Sequence, residues 1–182
     1  MMVSLDGFFE GPNHELDWHN VNDEFNRYAA ELLNSADALL FGRRTYQMMA
    51  AYWPTKLAAE NDPLVTEKMN NLPKYVFSKT LSSAEWENTK LVKENVEEEI
   101  TALKKQPGKN IILMGSSNLA LTFINYDLID EYRIIVNPVV LGKGNPLFHG
   151  ADTRIHLDLI RSKPMGSGNV INYYTSRPKT GT

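Results

Sequence analysis

The chain has 182 residues, of which 42% are hydrophobic and 23% charged, with a formal net charge of −3 and no cysteine. That length and balance suit one globular domain with a substantial core, and the mixed signs of charge offer no basic face for nucleic acid. The missing cysteines remove disulfides, thiolate nucleophiles and cysteine-ligated zinc, in keeping with a reducing, cytoplasmic setting.

Met1 to Leu5 is a short apolar run closed by Asp6-Gly7, which reads as a strand ending in a turn. It is short for a strand that anchors a sheet, which points to residues upstream of Met1. No basic region leads into a long apolar stretch, so no secretory leader is expected. No apolar run nears ~18 residues, so no membrane span is predicted. Residues 8–22 form a loop rich in Gly, Pro, Asn and His around Trp18, and a loop of ~15 residues in a compact domain is often functional. A helix follows, capped by Asn20 or Asn22, with Phe25, Tyr28, Ala29, Leu32, Leu33 and Ala36 along one buried face.

Ala38-Leu39-Leu40-Phe41 is a continuous apolar run of the kind that suits a strand covered on both faces. After Gly42, Arg43-Arg44-Thr45-Tyr46 opens a second helix, and Asp62 to Asn71 forms another short one. Tyr75-Val76-Phe77 is the next strand and ends in Ser78-Lys79-Thr80. Ser82 with Glu85 reads as a capping box for one further helical turn. Glu94 to Lys105 is an amphipathic helix with Val96, Ile100 and Leu103 inward, and its acidic start and Lys104-Lys105 end complement the helix dipole. Ile111 to Met114 is a buried strand ending at Gly115, and Ser116 to Ile124 is a helix. Arg133 to Val136 and Val139 to Leu141 continue the sheet across Pro138. Ile155 to Ile160 and Val170 to Thr175 alternate like antiparallel strands. The pattern predicts an α/β fold: a mostly parallel central sheet with helices on both faces and antiparallel C-terminal strands. One domain is expected over residues 1–176, with a frayed polar tail over 177–182.

Three predicted strands end in a polar or glycine-containing turn, and in open α/β sheets ligands bind outside such strand ends. If these strands are neighbours, the turns converge. In Gly42-Arg43-Arg44-Thr45, glycine lets a ligand approach the backbone, the new helix offers free N–H groups, and Arg and Thr add charge-assisted bonds. The same residues also fit an ordinary strand–helix turn with solvated arginines. Ser78-Lys79-Thr80 suits a phosphate monoester such as the 2′-phosphate that separates NADPH from NADH; it equally fits a polar loop. Gly115-Ser116-Ser117-Asn118 could hold a pyrophosphate on its N–H groups, or Ser116 could simply cap the helix. Asp6 reads as a turn residue, and Asp23 and Glu24 as solvated acids at a helix N-terminus. The sharper alternative makes these carboxylates face a substrate, binding an amino-heterocycle or relaying a proton. His14, His19, His149 and His156 show no metal-ligand spacing, so no metal is expected.

Taken in order, these pieces resemble the dihydrofolate-reductase-like superfamily, including the reductase domain of bacterial riboflavin biosynthesis. The resemblance is carried by Ser4-Leu5-Asp6-Gly7, Gly42-Arg43-Arg44-Thr45-Tyr46, Val76-Phe77-Ser78-Lys79-Thr80-Leu81, the Gly115 turn, and Asp130-Glu131-Tyr132-Arg133 leading to Pro138-Val139-Val140-Leu141-Gly142-Lys143-Gly144. It implies that Gly42, Arg43, Arg44 and Thr45 meet cofactor phosphates, that Ser78, Lys79 and Thr80 hold the 2′-phosphate of NADPH, and that Gly115, Ser116, Ser117 and Asn118 hold the pyrophosphate. It also implies a mobile active-site loop over residues 8–18 and catalytic roles for Asp6, Asp23 or Glu24. Where dihydrofolate reductases carry consecutive glycines, this chain has Gly115-Ser116-Ser117. The zinc ligands of the deaminase often fused to the riboflavin-pathway domain are absent. The resemblance thus implies an NADPH-dependent oxidoreductase acting on a small pterin-like or aminopyrimidine substrate, with 5-amino-6-(5-phosphoribosylamino)uracil reductase activity as one form. The alternative is a non-catalytic nucleotide-binding homodimer on the same scaffold. The apolar C-terminal strands permit a homodimer in either case.

Overall fold

The apolar run Ala38-Leu39-Leu40-Phe41 forms a central strand of a parallel sheet. In chain order the elements are β1 (Met2–Val3), β2 (Phe8–Glu10), α1 (Asp23–Asn34), β3 (Ala36–Gly42), α2 (Arg43–Tyr52), α3 (Lys56–Asn61), α4 (Pro63–Asn71), β4 (Lys74–Phe77), β5 (Thr89–Val92), α5 (Val96–Lys104), β6 (Asn110–Gly115), α6 (Ser117–Asn125), β7 (Glu131–Val136), β8 (Asn145–Pro146), β9 (Leu157–Pro164) and β10 (Val170–Ser176). The structure is a computed structural model and describes residues 1–151 and 154–177. The chain divides into two compact units, one made of residues 1–24 and 129 onward, the other of Phe25–Leu128.

The second unit is built on a sheet of order β5-β4-β3-β6, parallel throughout. β3 is buried along nearly its whole length, as expected for a strand covered on both faces. Leu39, Phe41, Met69 and Val76 have no exposed surface and form a core with Leu33, Tyr46 and Trp86. Each such side chain contributes about 1.5–3 kcal/mol by leaving water. Helix α1 turns Tyr28 and Leu33 inward, on the predicted face. Its start at Asp23 leaves Asn20 too early to cap it; the Asn20 side chain donates to Ser167 O at 2.7 Å instead.

Three elements differ from the sequence expectation in this unit. No helix forms at Ser82–Glu85. Trp86 fixes that segment instead: its backbone N–H donates to Tyr46 Oη at 3.0 Å and its ring N–H to Asn70 Oδ1 at 2.8 Å. The short helix α3, capped by the Thr55 side chain, and the strand β5 were not predicted. Both are too short for periodicity to mark them.

The first unit holds a mixed sheet of order β1-β7-β10-β9, in which only β1 and β7 run parallel. A second, two-stranded sheet pairs β2 with β8. The expected strand at Val139–Leu141 does not form. Its backbone groups turn elsewhere: Val139 N–H donates to Asn137 O, and the Leu141 N–H goes to a carboxylate. Of the tail expected over 177–182, Arg177 is tied down, its N–H donating to His156 O and its side chain paired with Asp158; residues 178–182 lie outside the described residues. Among the described residues, no helix is long and apolar enough to cross a membrane, and no three His, Asp or Glu side chains gather as a metal site.

Candidate nucleotide site and candidate carboxylates

β3 lies between β4 and β6 and runs parallel to both. The condition set by the sequence is therefore met. The turns at Gly42–Thr45, Ser78–Thr80 and Gly115–Asn118 leave the same end of one sheet. In register, Phe41 pairs with Gly115 and Gly42 with Phe77.

The first and third turns touch. Gly42 has φ −76° and ψ 161°, a conformation open to any residue, so the requirement for glycine is spatial. A Cβ there would lie 2.6 Å from Ser116 Oγ and 3.1 Å from Ser116 N. Gly115 has φ +130°, which glycine adopts far more readily than other residues, and the Gly115–Ser116 peptide bond is cis. Neither Gly42 nor Ser116 caps its helix with a side chain. The leading N–H groups of α2 and α6 are thus left without side-chain caps where the two turns meet. Two positive helix-dipole ends converge there.

Charged side chains belong to the first and second turns. Arg43 and Arg44 are exposed in the first turn of α2, and Arg43 reaches back to Gln47 at 3.2 Å. In the second turn the Ser78 hydroxyl closes the loop, accepting from the N–H groups of Thr80 and Leu81 at 3.2 and 3.1 Å. That leaves Lys79 and Thr80 exposed at the strand end. Ser117 is buried and Asn118 exposed.

The three carboxylates belong to the first unit and have different surroundings. Asp6 accepts from the Ser4 hydroxyl at 2.6 Å and from the N–H groups of Leu141 and Gly142 at 3.2 and 2.8 Å. The Ser4 hydroxyl, aided by those two amides, holds the Asp6 carboxyl below the usual carboxylate range. Glu24 accepts from Gly166 N–H at 2.8 Å, in the turn between β9 and β10. Asp23 is exposed at the start of α1.

Sequence reasoning missed several polar contacts. Ser4 is 1% exposed, and its oxygen also accepts from Phe8 N–H at 3.0 Å. Asn137 and Asn169 are fully buried and hold residue 20: Asn137 Oδ1 accepts from Asn20 N–H at 2.9 Å, and Asn169 Nδ2 donates to Asn20 O at 2.7 Å. Asn145 Nδ2 and His14 Nδ1 both meet Glu10 Oε1. His19 packs its ring edge-on against Trp18 at 4.5 Å, and burial lowers its pKa, favouring the neutral imidazole. The signal for Ser4 was its place two residues before Asp6; nothing local marks the asparagines.

A sequence model of the RibD C-terminal domain matches residues 1–171. The chain belongs to that family. Two relatives from Bacillus subtilis (strain 168) are uncharacterized proteins. YyaP is 36% identical over 170 residues, covering 93% of this chain and 89% of YyaP. YwjB is 30% identical over 172 residues, covering 94% of this chain and 92% of YwjB. Among solved structures, a Shewanella sp. PV-4 protein assigned to riboflavin biosynthesis is 25% identical with a TM-score of 0.75, over 98% of this chain and 97% of that one. A deaminase/5-amino-6-(5-phosphoribosylamino)uracil reductase from Thermotoga maritima is 15% identical, TM-score 0.68, over 97% of this chain and 55% of that one. A dihydrofolate reductase from Enterococcus faecalis complexed with NADP(H) is 16% identical, TM-score 0.66, over 97% of this chain and 94% of that one. The last two likenesses are of fold. The RibD-type chain thus has the dihydrofolate-reductase-like α/β fold that its sequence resembles.

Proposed function

We propose that this protein is an NADPH-dependent reductase that delivers hydride to a small pterin-like or aminopyrimidine compound. The observation that carries the reading is the meeting of two helix N-termini, neither with a side-chain cap, at the Gly42–Ser116 contact, with Lys79 at the end of the adjoining strand. That arrangement fits a dinucleotide diphosphate: two turns drawn together because Gly42 carries no Cβ, converging N–H donors, and cationic side chains on the flanking turns. Gly42, Arg43, Arg44, Thr45, Gly115, Ser116, Ser117 and Asn118 would hold the phosphates, and Ser78, Lys79 and Thr80 the 2′-phosphate. Bound NADPH would supply the hydride. The chain's own part is binding, orientation and proton supply, the last falling to Asp6, Asp23 or Glu24. The name of the Thermotoga maritima protein makes a phosphoribosylaminopyrimidine the specific candidate substrate. The reading includes a homodimer.

A second reading, a nucleotide-binding homodimer without turnover, is favoured by one observation. Asp6 and Glu24 are both engaged by backbone N–H groups of their own unit.

Fluorescence titration with NADPH and NADH tests both readings. NADPH is expected to bind more tightly, and the double variant Ser78→Ala, Lys79→Ala to lose about 10-fold or more of that preference, the scale of a charge-assisted contact. Absence of binding by either nucleotide refutes both readings. Tight binding with no oxidation of NADPH by 5-amino-6-(5-phosphoribosylamino)uracil or dihydrofolate supports the second.

A further inference from the structure

The sequence has one Asp-Gly pair, Asp6-Gly7, and no Asn-Gly pair. Such a pair is chemically vulnerable. With no Cβ on glycine, its amide nitrogen can approach the aspartate side chain and close a five-membered imide. The space around Asp6-Gly7 permits that closure. Leu5, Asp6 and Gly7 are all exposed, Gly7 has φ +88°, and beyond its chain neighbours no heavy atom lies within 4 Å of where a Cβ would stand. Hydrogen bonds oppose closure at both reacting groups. The Gly7 N–H, the nucleophile of the reaction, donates to Ser4 O at 3.0 Å. The Asp6 carboxylate, the electrophile, accepts from the Ser4 hydroxyl at 2.6 Å and from the Leu141 and Gly142 amides at 3.2 and 2.8 Å. Those donors favour the ionised carboxylate, which resists attack where a neutral carboxyl does not. Ser4 is itself fixed: it is 1% exposed and exchanges two hydrogen bonds with the Phe8 backbone.

We propose that Asp6-Gly7 is a latent isomerisation site, held unreacted by Ser4 and the 141–142 turn and open to reaction whenever that turn lifts. In the first step Gly7 N bonds to Asp6 Cγ and a Cγ–O bond breaks. The oxygen leaves as water, carrying the amide proton and the carboxyl proton. Water then adds to the imide. Addition at Cγ restores aspartate. Addition at the main-chain carbonyl leaves isoaspartate, with the backbone now routed through the Asp6 side chain. Nothing is oxidised or reduced, and water is the only co-reactant. The main chain gains one carbon, and the carboxylate, now attached at Cα, is displaced from the Leu141 and Gly142 amides. A turn that lifts long enough for the reaction is therefore left without its tether.

The site needs neither nucleotide nor substrate, so it stands apart from the reductase reading. To test it, the full chain is held in mildly acidic buffer made with heavy-oxygen water. Each passage through the imide inserts one heavy oxygen, which mass spectrometry of the peptides locates at residue 6. The folded wild type is expected to take up label at least about tenfold more slowly than the same chain in urea. Ser4→Ala removes one donor to the carboxylate and is expected to label about tenfold faster than the folded wild type, the scale of one hydrogen bond to a charged group. Folded wild type that labels as fast as the chain in urea overturns the proposal. So does a Ser4→Ala protein that keeps its circular dichroism and labels no faster than wild type. Where Ser4→Ala fails to fold, the comparison of folded and urea-unfolded wild type decides alone.

Discussion

Asp6 illustrates what a single residue can hide. In the sequence it is the first half of an Asp-Gly turn. In the structure its carboxylate receives two amides from 135 and 136 positions away, together with the hydroxyl of its near neighbour Ser4. Those donors hold its pKa below the ordinary value near 3.8. A carboxylate with a depressed folded pKa contributes stability that is present above the unfolded pKa and is lost as pH falls through the folded one. The Leu141 and Gly142 amides are therefore expected to exchange faster with deuterium as pH falls below the ordinary carboxylate range, beyond the intrinsic pH trend, and Asp6→Ala to show that fast exchange already at neutral pH. Exchange unaltered by the substitution would remove Asp6 as the holder of this loop. Glu24, Asn137 and Asn169 are the same kind of case. Their hydrogen-bond partners could not be read from the sequence, because those partners are remote along the chain.

At the level of elements, the local signals read true where they were strong. Apolar runs ended by Gly or Ser marked β3, β4 and β6, and the 3.6-residue spacing marked α1 and α5. Weak local signals misled at Ser82–Glu85, where the burial of Trp86 overrides a capping pattern, and at Val139–Leu141, where the chain answers Asp6 instead of a neighbouring strand. The junction from α4 to β4 depends on Lys74, 1% exposed, whose ammonium donates to the carbonyls of Met69, Asn70 and Leu72 at 3.0, 2.8 and 2.8 Å and lies 4.6 Å from the Trp86 ring centre. It closes the C-terminal end of α4, where carbonyls lack helical partners. Lys74→Met strands those carbonyls and is expected to cost about 2–4 kcal/mol in urea unfolding. Burial lowers the Lys74 pKa from 10.5 to about 8. Between those values the unfolded chain binds the proton and the folded chain does not, so stability rises with pH across that window. Lys74→Met should lack that rise.

For the molecule as a whole, the order of motifs along the chain was legible, and it correctly indicated the fold. The neighbourhood of the three turns was legible only as a condition, because strand order is a tertiary fact; β3 lying between β4 and β6 satisfies it. Every residue assigned to the nucleotide falls within Phe25–Leu128, and every candidate carboxylate before it. That division has a consequence for synthesis. The second unit is one unbroken segment, whereas the first is assembled from the two ends of the chain. On the ribosome, the residues for the whole parallel sheet emerge before β7 exists, while β1 must wait for Ile135, the partner of Met2. Domains tend to fold as their segments emerge. A nascent chain stalled once Leu128 has cleared the exit tunnel is expected to resist protease across residues 25–128 while its first 24 residues are cut, and to gain protection there only after translation resumes. Residues 1–24, made before the whole parallel sheet, would be among the last parts to find their place.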